Sequence, residues 1–301
     1  MSQTVAVTGA SGFIGRYLCP ALEAAGHQVL RLGRGAAATP DARQTDYSRD
    51  SLTRALEGAD AVVHLAGRRM TREDAPMDVA PFWPSNVAGI ADLVAAAQTQ
   101  GVERIVLAST IALYTPASGL PYVETAPLRP VNAYALSKLM AEAHLEMLTR
   151  RAGPSSVALR FAAVYGHGEK GTPALMKFVD QALAGETITL TGNADYRIDQ
   201  LYVRDAVSAI LAALSSKAEG AYNIGGGRAL AVGEIAETVN DVFGNDGNIR
   251  YATDSDQPMP ETMMALDRAA LDLGWQPAFD LRAGLEDFRR TRDAGLRSDT
   301  D

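Results

Sequence analysis

The run Thr4-Val5-Ala6-Val7-Thr8 is short, apolar and rich in β-formers, and Gly9-Ala10-Ser11-Gly12-Phe13-Ile14-Gly15 follows it directly, ahead of a helical pattern through Ala25. Strand, glycine turn and helix in this order constrain the chain more than any other stretch. Glycines here permit a tight turn, close backbone approach to a pyrophosphate and close helix–strand packing, with the helix N-terminus facing the anion. The stretch Gly9 to Gly15, with Ser11, Gly12, Phe13 and Ile14, is therefore expected to hold a dinucleotide. The competing reading is a turn that binds nothing, and the spacing G-x-x-G-x-x-G differs from the commoner G-x-G-x-x-G.

Short apolar runs then alternate with helical segments, which points to an α/β fold, a doubly wound parallel sheet with helices on both faces. Strands are expected at 4–8, 28–32, 61–65, 104–108 and 156–160, and helices at 13–25, 51–56, 87–100 and 134–151. Right-handed crossovers between them place the loops after the strands on one edge, where such sheets bind ligands. At 301 residues and 47% hydrophobic content the chain can bury a large core. Its 28 basic and 36 acidic residues give a formal charge of −8 with no sustained basic run, against nucleic acid or an anionic membrane surface as partner. The single cysteine, Cys19, excludes an internal disulfide, and His27, His64, His144 and His167 show no ligand spacing, so no metal site is expected. With no signal peptide and no apolar run of membrane-spanning length, the expectation is a soluble cytoplasmic protein.

In Asn132-Ala133-Tyr134-Ala135-Leu136-Ser137-Lys138, asparagine caps a helix and places Tyr134 and Lys138 one turn apart on one face. A free phenol titrates near 10, and an ammonium close by favours the phenolate, so such a pair can exchange a proton with a carbinol or carbonyl oxygen. An accidental Tyr-x-x-x-Lys on an amphipathic helix is the plainer explanation of the spacing alone.

Together with the glycine loop, the segments Asp46-Tyr47, His64-Leu65-Ala66-Gly67, Asn86-Val87-Ala88-Gly89, Ser109-Thr110, Tyr134 to Lys138, Leu159-Arg160-Phe161, Tyr165-Gly166 and Leu273-Gly274-Trp275 with Pro277 make the chain resemble, over almost its full length, the extended short-chain dehydrogenase/reductase family, also called the NAD-dependent epimerase/dehydratase family. The resemblance implies a Rossmann domain, 1–165 plus about 200–228, and a smaller α/β C-terminal substrate lobe, about 166–199 plus 229–301. It implies a catalytic set of Thr110, Tyr134 and Lys138. The implied cofactor residues are the glycine loop, Asp46 and Tyr47 along the adenine, Leu65, Ala66 and Gly67 against the cofactor, and Arg69 at the pyrophosphate. Asn86 would support the catalytic lysine, and Tyr134 and Lys138 would also touch the cofactor. Thr110 and Arg197 are the implied substrate contacts, Arg197 for a phosphate or carboxylate, with a surface arginine as its alternative. A homodimer through the Val87 and Tyr134 helices is a further implication.

Departures from the family pattern narrow the chemistry. Ile111-Ala112 follow Thr110 where the sugar-nucleotide 4,6-dehydratases carry Asp-Glu, so the proton carriers for eliminating water are missing. Ala163 stands where many nucleotide-sugar enzymes have an asparagine. Gly33 takes the place of the acid that ends the second strand in NAD sites, with Arg34 beside it, which leans toward NADP while leaving NAD open. The resemblance implies a sugar-nucleotide epimerase or a reductase working by hydride transfer at a secondary alcohol or ketone. The alternatives are an NADP-dependent reductase of a non-nucleotide ketone or aldehyde, and a non-catalytic dinucleotide-sensing regulator. Residues 70–85 read as an irregular loop that covers substrate or caps the sheet, His64 as a satisfied core histidine, Ser109 as support for backbone or cofactor, and the polar stretch 289–301 as disordered.

Overall fold

The computed structural model describes residues 2–35, 41–151, 153–170, 174–252 and 261–295. Its centre is a seven-stranded parallel sheet of β1 (Thr4–Thr8), β2 (Gln28–Gly33), β3 (Ala42–Gln44), β4 (Ala61–His64), β5 (Arg104–Thr110), β6 (Ser155–Phe161) and β10 (Gly220–Ile224), in the order β10-β6-β5-β4-β1-β2-β3. All six pairings are parallel. Every strand therefore ends on the same edge.

The strands are apolar at nearly every position because alternate side chains enter two separate cores. Val5, Val7, Val63, Val106, Val157 and Leu159 pack with α1 (Phe13–Ala24), α6 (Val203–Ser215) and α8 (Asp267–Leu273). Ala6, Val62, Ile105, Leu107 and Ala158 pack with α2 (Arg49–Ala55), α3 (Gly89–Gln100) and α4 (Ala133–Thr149). The doubly wound sheet read from the sequence is thus the architecture found. The short β3 was not expected; its exposed three-residue run carries almost no pattern. The expected 87–100 helix begins as a π-helical turn, Trp83–Ala88, with Pro84 in its first turn, and becomes α-helical only at Gly89.

A third core belongs to a smaller α/β region. It joins β7 (Ala163–Tyr165), α5 (Ala174–Leu183), β8 (Ile188–Thr191), β9 (Arg197–Tyr202), β11 (Ala229–Ala231), α7 (Val232–Phe243), β12 (Ile249–Ala252) and α9 (Leu281–Asp293) through Phe178, Val179, Leu190, Ile235, Val239 and Leu285. Its strands form two small sheets, β11-β9-β7 and β12-β8. The expectation of disorder from residue 289 is corrected: α9 continues to Asp293, while residues 296–301 lie outside the described ones. Leu281, Leu285 and Phe288, at i, i+4 and i+7 behind an Asp280 cap, bury one face and carry the charged turn with them.

Within 229–301, α8 and Trp275 return to the large sheet, and α6 is where they are tied. Trp275 Nε1 donates to Ser208 Oγ at 2.8 Å. The buried Asp205 carboxylate accepts the Ala278 and Phe279 amides at 2.9 and 3.1 Å. Burial raises this carboxyl and the two amides oppose the rise. Asp205→Ala leaves two amides without their acceptor, an expected loss of about 3 kcal/mol in urea unfolding. A loss under about 0.5 kcal/mol would show that the carboxylate does not hold this return segment.

Candidate active site

The glycine turn is shaped by what surrounds it. Gly9 has φ +69°, and a Cβ there would lie 2.8 Å from the Ala66 nitrogen; at Gly15 it would lie 2.4 Å from the Gly9 carbonyl oxygen. Any larger residue would push α1 away from β1 and close the approach to the N-terminus of α1. Thr8 Oγ1 accepts the Ala66 amide at 3.2 Å and shares a hydrogen bond of 2.8 Å with His64 Nδ1. Burial and the Lys138 charge push His64 down to about 3, so the ring is neutral and occupied by structure, as expected of it. Glycine cradle, helix N-terminus and the small Ala66-Gly67 wall meet at the sheet's carboxyl edge and fit a dinucleotide.

Next to this edge stand Thr110, ending β5, and Tyr134, in the first turn of α4. Asn132 Oδ1 accepts the Ala135 amide at 2.8 Å, so the cap read from the sequence is present. Thr110 stands close enough to the Tyr134 phenol to favour its ionised form. Burial pushes the phenol up, while Thr110 and the Arg69 charge pull it down. Arg69 is thus one cation whose charge acts on the phenol. Lys138, one turn on, is buried and donates from Nζ to the Ala108 carbonyl at 2.8 Å. Burial brings Lys138 down to about 8, against the opposing pull of Glu142.

Asn86 is buried in the π-helical turn and does not cap a helix. Its Oδ1 accepts the Arg68 amide at 2.8 Å, and its Nδ2 donates to the Arg68 carbonyl and to Ser137 Oγ, each at 2.9 Å. It therefore fixes the Gly67–Arg69 strip against the residue beside Lys138. Phe82, from the 70–85 loop, is fully buried with its ring 6.1 Å from that of Tyr134, and the Ala133 amide donates to Pro76 O at 2.7 Å. Arg69 places its guanidinium fork on Glu169, at 2.6 and 3.2 Å, with the Glu169 side chain wholly buried. No local pattern marks Glu169, which comes from 100 residues away.

A buried ionic network underlies the site. Glu142 accepts Ser109 Oγ and both Nε and Nη2 of Arg160, the latter at 2.8 Å. Arg160 Nη1 donates to Tyr114 Oη at 2.7 Å, and Tyr114 Oη donates to Asn223 Oδ1 at 2.8 Å. Glu142 was missed, although Tyr134, Lys138 and Glu142 at i, i+4 and i+8 share a helix face on which an acid is out of place unless partnered.

At the other end of the crevice Gly33 ends β2 and Arg34 follows it, exposed. Asp46 Oδ1 accepts the Ser48 amide and hydroxyl at 2.9 and 2.6 Å, and these bonds hold its carboxyl below the usual carboxylate range. Tyr47 is half-buried beside Gly9. Arg197 stands apart from this cluster: it is exposed at the start of β9, and its Nη1 donates to the Ala229 carbonyl at 3.4 Å. Among the described residues no helix is long and apolar enough to cross a membrane.

A profile of the NAD dependent epimerase/dehydratase family matches residues 5–225. The UDP-glucose 4-epimerase of Azospirillum brasilense is 31% identical, over 94% of this chain and 90% of its own length. The crystal structure of UDP-N-acetylglucosamine 4-epimerase from Bacillus cereus superposes with a TM-score of 0.89 at 30% identity, covering 100% of this chain and 99% of that one. The UDP-glucose 4-epimerase of Thermus thermophilus, solved in complex with NAD, gives 0.80 at 27% identity over 95% and 99% of the two chains. Glycine turn, Thr110–Tyr134 pair and buried Lys138 thus stand on the scaffold these proteins share, and the chain belongs to the NAD-dependent epimerase/dehydratase family.

Proposed function

We propose that this protein is an NAD(P)-dependent sugar-nucleotide epimerase acting at a secondary alcohol carbon. The observation that carries the reading is the meeting of Thr110, at the end of β5, with the Tyr134 phenol at the carboxyl edge of the sheet, with Lys138 one helical turn away. The names of the relatives support a UDP-sugar as the substrate class.

Tyr134 Oη takes the proton from the substrate hydroxyl, and Thr110 Oγ1 holds the same oxygen in line. The dinucleotide, when bound, supplies reversible hydride exchange at the carbon bearing that oxygen. Returning the proton from Tyr134 after the intermediate has turned restores the enzyme, so the cycle needs no outside reductant. Lys138 is assigned to the nicotinamide ribose and Arg69 to the pyrophosphate; Asp46, Tyr47, Leu65, Ala66 and Gly67 line the rest of the cofactor and Asn86 braces it. Arg197 is assigned to a substrate phosphate, on a lobe formed by about 166–199 with 229–301. The absent carboxylate at Gly33 and the exposed Arg34 favour room for a 2′-phosphate, hence NADP, and that preference also supports a second reading, a reductase that exchanges its cofactor each turnover. For assembly, the exposed Leu136 and Met147 with Met140 and Ala143 form an apolar stripe at i, i+4, i+7 and i+11 of α4, which suits a homodimer through the α3 and α4 helices.

Three outcomes are expected. Wild-type protein with UDP-glucose should yield the C4 epimer without added cofactor and with no net change at 340 nm, and Tyr134→Phe should lower that turnover about a thousandfold. Stoichiometric consumption of NADPH would instead establish the reductase. Glu142→Gln removes the charge that opposes the fall of Lys138 and leaves Arg160 uncompensated nearby. Lysine then deprotonates at lower pH, so the alkaline limb of the kcat profile should move down by about one unit or more; an unmoved limb would separate Glu142 from the lysine. Met147→Glu should convert a dimer to monomer in sedimentation velocity, and identical sedimentation of the two proteins would exclude this face.

A further inference from the structure

Tyr47 is, among the described residues, the one non-glycine with positive φ, at +67°. The left-handed conformation is held from both sides: its amide donates to Thr45 Oγ1 at 3.0 Å, Ser51 Oγ donates to the same oxygen at 3.1 Å, and Asp46 Oδ1 holds the Ser48 amide. Side chains in strained conformations that neighbours over-determine concentrate at functional sites.

The strain brings the ring back over the sheet edge. Tyr47 Oη lies 3.5 Å from the Leu32 carbonyl, and the Gly9 backbone is near enough to act on the same phenol. Thr8 and Leu32 are register partners, so the hydroxyl sits across the ends of β1 and β2. In a doubly wound fold this is where the adenosine ribose is held, normally by an acid about twenty residues past the glycine loop. Among the described residues no acid serves here: Leu32-Gly33-Arg34-Gly35 carries none, Asp46 Oδ1 is engaged with Ser48, and Asp41 pairs with Arg31. Tyr47 is the polar side chain that reaches the place. Arg34 is close enough for its charge to act on the phenol, and among the described residues it makes no ion pair.

We infer that the Tyr47 hydroxyl replaces the missing carboxylate as the group that reads the adenosine ribose, with Arg34 beside it to admit a 2′-phosphate. A carboxylate only accepts hydrogen bonds and repels a phosphate. A neutral phenol donates as well as accepts, so it binds a ribose 2′-hydroxyl and tolerates its phosphate ester alike. The inference rests on the reading of the crevice as a dinucleotide site and adds which residue discriminates there.

Calorimetric titration of the full-length protein tests it with NAD, 2′-deoxy-NAD and NADP. Wild type should bind NAD about five- to tenfold more tightly than 2′-deoxy-NAD, as one hydrogen bond implies. Tyr47→Phe should lose NAD affinity by a similar factor and no longer distinguish the two, while Arg34→Ala should weaken NADP alone. Equal wild-type affinity for NAD and its deoxy analogue, or unchanged or tighter NAD binding by Tyr47→Phe, overturns the inference and leaves the dinucleotide site standing. Binding of neither NAD nor NADP by the wild-type protein overturns the reading of the crevice itself.

Discussion

The site depends on a charge pair it does not expose. Glu142 on α4 and Arg160 on β6 meet in the interior with Ser109 of β5 on the same carboxylate, so one ionic contact joins the helix that carries Tyr134 and Lys138 to the two strands that end beneath them. Burying two charges costs several kcal/mol each unless geometry and further hydrogen bonds offset it. Here they do: Arg160 Nη1 donates to Tyr114 Oη and the Glu124 carbonyl, and its Cζ lies 5.3 Å from the centroid of the Tyr114 ring. Removing one partner of such a pair is worth about 3 to 5 kcal/mol of destabilisation. The position of the Tyr134 helix relative to Thr110 is as firm as that pair.

The electrostatics of the crevice follow from the same burial. Lys138 lies close enough to His64 to help keep it neutral, and its own ammonium is stabilised by the Ala108 carbonyl and Glu142 against the cost of desolvation. Burial raises the Tyr134 phenol, and Thr110 and Arg69 oppose the rise, Arg69 being held in place by the wholly buried Glu169 carboxylate. The Tyr-x-x-x-Lys spacing brings Lys138 to the phenol, and the fold adds the Arg69 charge to it.

Much of this was legible beforehand because it is local or periodic. The glycine turn, the alternation of strands and helices, the Asn132 cap and the i, i+4 placement of Tyr134 and Lys138 all follow from backbone conformations that a few neighbouring residues enforce. The β3 strand, the π-helical start of the 83–100 segment and the helical turn at 289–293 were not legible, since each owes its form to packing that the local pattern does not encode. Asn86 shows the difference within one residue. An asparagine is a common helix cap, and here the approach of Arg68 and Ser137 from elsewhere makes it a clamp instead.

What the sequence by itself determined, then, was the class of fold and the kind of chemistry, because both are written in hydrophobic period, glycine placement and one tyrosine–lysine turn. What the tertiary structure decided was which polar groups face one another: Arg69 with Glu169 over 100 residues, Ser109 with Glu142 over 33, and the Tyr47 phenol across the ends of β1 and β2. Coulomb and hydrogen-bond energies depend on distances of a few ångströms in a low-dielectric interior, and separation along the chain says nothing about those distances until the sheet has closed.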